Sequence, residues 1–201
     1  MKITATDLAC ERGGRIVFTD VSFAVESGRF LELTGPNGAG KSSLLRLISG
    51  LSEPRHGHLK LADGDGDLSL AEQAHYIAHG EASKSALSVT ENLVFWRDFL
   101  GGGDLASALS AVNLASLADY PVALLSEGQK RRLALARLAL VKRPIWLLDE
   151  PSVGLDAASQ KLLVSLMRRH LKTNGIIIAA THVPLGLKPD QSLRLSGAPQ
   201  P

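Results

Sequence analysis

The run Gly35-Pro36-Asn37-Gly38-Ala39-Gly40-Lys41-Ser42 joins flexible backbone to a cation and a hydroxyl. Its glycines let backbone N–H groups turn inward around a polyanion. A helix starting at Lys41 adds the positive end of its dipole to the same spot. Lys41 carries a full charge to β- and γ-phosphates, and the Ser42 hydroxyl is a ligand for Mg²⁺, with Ser43 grouped among the nucleotide contacts. The spacing is G-x-x-x-x-G-K-[ST], set between an apolar strand, Phe30 to Thr34, and a run from Lys41 to Ser49 with Leu44, Leu45 and Ile48 on one face. This is the chemistry of gripping a nucleoside triphosphate with its magnesium.

A second constellation follows a buried-type strand. Ile145-Trp146-Leu147-Leu148 runs into Asp149-Glu150, two carboxylates at what would be the C-terminal end of a parallel strand, facing the nucleotide. Asp149 is placed to hold Mg²⁺ and Glu150 to act as general base on the attacking water.

A third segment narrows the class. Leu125-Ser126-Glu127-Gly128-Gln129 opens a helix ahead of the acid pair, and a helix tip preceded by Ser and Gly is again an anion site, with Ser126 and the Gly128 amide as donors. Here the chain resembles the ABC ATPases, whose signature is usually LSGGQ. The resemblance covers nearly the whole chain with the motifs in family order, and Glu127 stands at a variable position. It implies a P-loop NTPase of ABC type: an α/β fold, with a mixed sheet, a β-rich N-terminal part and a small helical subdomain at about 88–142, all within one nucleotide-binding domain, 1–201. It implies that the signature, Gln129 included, serves the γ-phosphate of ATP held by a second copy, so that two ATP molecules are sandwiched. Ser152 to Asp156 then matches the loop that carries contact between copies, and His182 matches the histidine that touches the γ-phosphate.

Two positions depart from the family pattern. The aromatic residue that stacks on adenine is replaced by Arg12, whose guanidinium can also stack on a base. The glutamine that links Mg²⁺, water and the membrane partner is replaced by His79, either a water-bonding group there or a plain surface-loop residue. With these, Arg12-x-x-Arg15, Tyr76-Ile77-Ala78-His79, Leu87 to Leu93, Gly128 to Leu138, Pro144 to Pro151 and Ala180 to Leu185 resemble the ATPase subunits of cytochrome c maturation, a haem-export branch. That resemblance implies transmembrane partners of a cytochrome c maturation complex at the cytoplasmic face of the bacterial inner membrane, contacted through the loop from His79 to Ser88. An ABC exporter for a drug or lipid is the alternative. A soluble ABC protein of translation or DNA repair would need a second nucleotide domain or a long coiled-coil insertion, and neither is present.

The framework around these residues is ordinary. The 201 residues suffice for one domain with a sizeable core. A charge of +2, with no long basic run, gives no reason to expect a nucleic-acid partner. Cys10 is the lone cysteine, so neither an intrachain disulfide nor a cysteine metal cluster is available. With no C-x-x-C-H motif and scattered histidines, direct haem binding is not expected; His56 and His58 flank a glycine read as a solvated turn. The N-terminus lacks the apolar stretch of a signal peptide, and no apolar run reaches the roughly 20 residues that span a bilayer, so any membrane role is expected to come through a partner. Little sequence follows His182, so an extra C-terminal domain is not expected.

Local patterns supply the elements. Val21, Phe23 and Val25 alternate as in a half-buried strand, and a strand is predicted over His58 to Leu61. Ser88 and Glu91 form a capping box ahead of Leu93, Trp96 and Leu100, with glycines ending the helix. Phe95, Trp96 and Phe99 are expected in the core, with a docking stripe as the alternative. Further helices are predicted from Leu105 to Val112, Ser126 to Val141 and Asp156 to Leu171, and a buried strand from Ile176 to Ala180. Asp63 to Asp67 starts like a calcium loop but has Leu68 and Ala74 where Gly and Glu are required, so it is read as a turn.

Overall fold

The computed structural model describes residues 1–78, 80 and 82–197. The strands are β1 (Lys2–Arg12), β2 (Arg15–Glu26), β3 (Phe30–Thr34), β4 (His56–Ala62), β5 (Ala74–Ile77), β6 (Ile145–Asp149), β7 (Ile176–Ala180) and β8 (Gln191–Arg194). The helices are α1 (Lys41–Ile48), α2 (Val89–Leu100), α3 (Leu105–Ala111), α4 (Glu127–Leu140) and α5 (Ala157–Lys172). The expected mixture of antiparallel and parallel pairing is present, divided between two sheets. One is antiparallel in the order β2-β1-β4; the other is parallel in the order β5-β6-β7-β3-β8.

The continuous apolar runs of β6 and β7 follow from this, because the parallel sheet is covered on both faces. Alternate residues divide between two cores. Ile145, Leu147, Ile176, Ile178 and Ala180 face one that includes β1, β2 and α1, whereas Trp146, Leu148, Ile177 and Ala179 face one that includes α2 to α5. Two imidazoles flank Trp146 in the second layer. His75 is its register partner on β5, 1% exposed and donating from Nε2 to Val141 O at 2.7 Å. His170 stacks on the indole with centroids 3.9 Å apart and planes at 12°. Burial lowers both histidines to a pKa of about 4, so both are neutral at physiological pH.

The helical part begins as the sequence predicts. Ser88 Oγ accepts from Glu91 N while Glu91 accepts from Ser88 N, and Gly101, at φ +90°, closes α2. The aromatic stripe corrects the core expectation. α2 packs inward through Val89, Asn92 and Leu93, with Trp96 half-buried beneath the Arg137 guanidinium at 3.6 Å, and this turns Phe95 and Phe99 outward, 45% and 70% exposed. His56 and His58 are exposed as expected; the strand predicted from His58 is present but starts at His56, so β4 takes in the residues read as a turn. Among the described residues no helix is long and apolar enough to cross a membrane.

Candidate active site

β3 delivers the chain to the glycine-rich loop and α1 carries it away. Gly35 (φ +134°) runs so close to the Leu195 carbonyl that a Cβ would sit 2.1 Å from its oxygen. Gly40, the N-cap of α1 at φ +98°, has the Val17 and Phe18 side chains where a Cβ would go. Both positions therefore require glycine. No side chain caps α1, so its leading amides stay available for an anion. Lys41 is 8% exposed, and its ammonium donates to the carbonyls of Gly35 (2.8 Å) and Pro36 (3.1 Å). Those bonds keep a buried cation satisfied and hold it over the loop.

β6 brings the acid pair to the same place. Arg12, Val17, Asn37, Gly38, Gly40, Lys41, Ser42, Ser43, Asp149 and Glu150 line one open cleft of about 420 Å³. Asp149 is 4% exposed and receives a long hydrogen bond, 3.5 Å, from the Tyr76 hydroxyl. Burial and the Asp149 charge push that phenol up to about 12, so it remains a donor. Glu150 adopts φ +48°, a backbone conformation uncommon outside glycine, asparagine and aspartate. Its Oε2 accepts from the His182 Nδ1–H at 2.8 Å, which draws His182 from the end of β7 onto the predicted base. The cleft thus holds a cation, free amides, a hydroxyl and two carboxylates, the set needed to bind a triphosphate and activate water against it.

Mg²⁺ fits this donor set. The ion takes one or two protein oxygens and fills its octahedron with phosphates and water. Ser42 and Asp149 provide a hydroxyl and a weakly occupied carboxylate in the same cleft.

The signature residues lie elsewhere. Ser126 caps α4, its Oγ accepting from Gln129 N at 3.3 Å while Gln129 Oε1 accepts from Ser126 N at 2.8 Å. A Cβ on Gly128 would stand 3.2 Å from the Gly154 carbonyl, so this glycine packs the helix tip against the loop from Ser152 to Asp156. Ser126, Gly128 and Gln129 do not line the phosphate cleft of their own chain. Gly35, Pro36 and Ala39 belong to the loop without lining the cleft, His182 reaches it only through Glu150, and His79 lies outside the described residues. Sequence reading missed Tyr76, whose hydroxyl reaches Asp149. It also missed the place of Arg131, which entered only within the Gly128 to Leu138 run yet is 3% exposed beneath the acid pair.

Comparison with known proteins agrees with this geometry. The family described as "ABC transporter" matches residues 18–153. The "Cytochrome c biogenesis ATP-binding export protein CcmA" of Nitrobacter winogradskyi is 52% identical, over 98% of this chain and 100% of its own length. Its counterpart in Nitrobacter hamburgensis is 53% identical, over 98% of this chain and 99% of its own. Among solved structures, the ATP-binding subunit of an ABC transporter superposes with a TM-score of 0.87 at 26% identity, covering 98% of this chain and 86% of that one. A family match through both catalytic motifs, and relatives alike from end to end, lead to one conclusion: this chain belongs to the ABC transporter family of ATPases.

Proposed function

We propose that the chain is the ATP-binding and ATP-hydrolysing subunit of an ABC export complex that serves cytochrome c biogenesis, powering haem export or release of a haem-loaded chaperone. The observation that carries this reading is the 52% identity over 98% of the chain to a protein named for that process. The chain acts as a single nucleotide-binding domain, with residues 88–142 as its helical part.

In the cleft, Lys41 exchanges its two loop carbonyls for β- and γ-phosphate oxygens, the α1 amides cradle the same phosphates, and Arg12 stacks on the base. Ser42 and Asp149 would hold Mg²⁺, which would supply charge neutralisation on the phosphates. Glu150 accepts a proton from water, the water oxygen bonds to the γ-phosphorus, and the bond to the β–γ bridging oxygen breaks to leave ADP and phosphate. His182 holds the Glu150 carboxylate and contacts the γ-phosphate. Ser126 and Gly128 serve the phosphate of a second copy, so the working form is a dimer mounted on transmembrane subunits. Those subunits meet the loop from His79 to Ser88 at the cytoplasmic face of the inner membrane.

Deletion of the gene tests the biological reading. Holo c-type cytochromes are expected to disappear, and to return with the natural chain but not with Glu150→Gln. Normal c-type cytochromes together with loss of a drug- or lipid-export activity would instead assign the ATPase to another exporter.

A further inference from the structure

Arg131 lies on α4, just past the Leu125 to Gln129 tip, and its guanidinium is surrounded by main-chain carbonyls. Nη2 donates to Glu150 O at 2.7 Å and to Asp149 O at 3.0 Å, Nη1 donates to Ala78 O at 2.9 Å, and Nε makes a longer 3.4 Å bond to Pro151 O. From the other side, Glu150 N donates to Ala180 O at 2.9 Å. A glutamate at φ +48° persists only where its surroundings hold it. Here three consecutive carbonyls converge on one buried cation. Their dipoles would repel without it, and only a planar fork of five donors can serve them together with Ala78.

We infer that Arg131 is a positioning residue for hydrolysis: its guanidinium clamps the left-handed turn at Glu150 and sets where the carboxylate stands. The inference rests on the reading of Glu150 as the general base. It also makes α4 a mechanical link, because one helix then carries the phosphate-facing tip, the clamp on the base, and a tie to the segment just ahead of His79.

The test uses the full chain with its membrane subunits and the variants Arg131→Met and Arg131→Lys. Displacement of a catalytic group by about 1 Å costs on the order of 100-fold. Arg131→Met is therefore expected to lower kcat at least about tenfold while KM for ATP moves less than about threefold. Arg131→Lys should fall between Arg131→Met and the natural chain. In single-turnover assays on the Glu150→Gln background, Arg131→Met should cause no further loss, because both changes act through one carboxylate. Unchanged kcat, a KM increase that accounts for the whole effect, or a full additional loss on the Glu150→Gln background overturns the clamp. Normal turnover by Glu150→Gln alone defeats the base assignment instead. Should Arg131→Met fail to fold, Arg131→Lys decides: natural kcat overturns the clamp, and reduced kcat at constant KM supports it.

Discussion

The two anion-seeking helix tips of this molecule are finished differently. α1 opens on Gly40 with no side-chain cap, its amides bare beside Lys41 and the acid pair in a shared cleft. α4 opens on Ser126 with a reciprocal capping box that satisfies the Ser126 and Gln129 amides. An uncapped tip costs stability until an anion arrives, and a capped one does not. The first is therefore a receptor that gains by binding phosphate unaided. The second is stable empty, and on the proposed function its Ser126 hydroxyl proton and Gly128 amide await a phosphate carried by another polypeptide. In that proposal one region captures the nucleotide, and the other senses that capture has happened.

Damage to the receptor region should have the largest effects. Glu150→Gln should cut phosphate release by about 10²- to 10⁴-fold, the range general-base catalysis provides, while ATP binding persists and size-exclusion chromatography shows an ATP-dependent dimer. Turnover at the natural rate would remove Glu150 from the chemistry. Lys41→Ala should weaken ATP by about 100-fold, the upper range for losing a charged hydrogen-bonding partner, as measured by equilibrium binding.

Mixing variants sharpens the contrast. Lys41→Ala and Gly128→Asp homodimers should both be inactive, yet their mixed dimer pairs the intact loop of one chain with the intact tip of the other. Mixing should restore roughly a quarter of natural activity at statistical assembly, whereas no recovery would mean that both regions act within one chain. A smaller effect separates the scaffold from both tips. His75 and His170, lowered to about 4 in the folded chain, bind protons more readily when unfolded, near 6.5. Stability is thus complete above about pH 6.5 and is lost as pH falls towards 4, by about 3 kcal/mol per histidine. Urea titrations across that window should show the slope, and its disappearance in His75→Gln would assign that share. The smallest expected change is at Arg12, where alanine should weaken ATP by about 0.5–1 kcal/mol through lost stacking and leave inorganic triphosphate unaffected.

The candidate site residues were legible in the sequence because they are contiguous: a loop, a strand end and a helix start each fit in one short window. The elements that failed to announce themselves share a different trait. β5 places His75 and Tyr76 inside a four-residue strand, so its alternation is masked by side chains chosen for contacts at Val141 and Asp149. β8 is an edge strand with mostly polar residues, held by backbone pairing to β3. Arg131 was unreadable for a stronger reason, since the partners that hold it among the described residues include four carbonyls, which every residue owns. Phe95 and Phe99 fit a helical period, but a period does not say which stripe of a helix is covered.

The protein has two tryptophans, and each rests on a cation or a would-be cation: Trp146 on His170, Trp96 beneath Arg137. Native ultraviolet emission is therefore a two-channel signal that needs no dye. One indole reports the arrival of a proton in the sheet layer, and the other reports any slippage of α2 across α4. Replacing either tryptophan with phenylalanine leaves the remaining channel to be recorded alone during nucleotide binding.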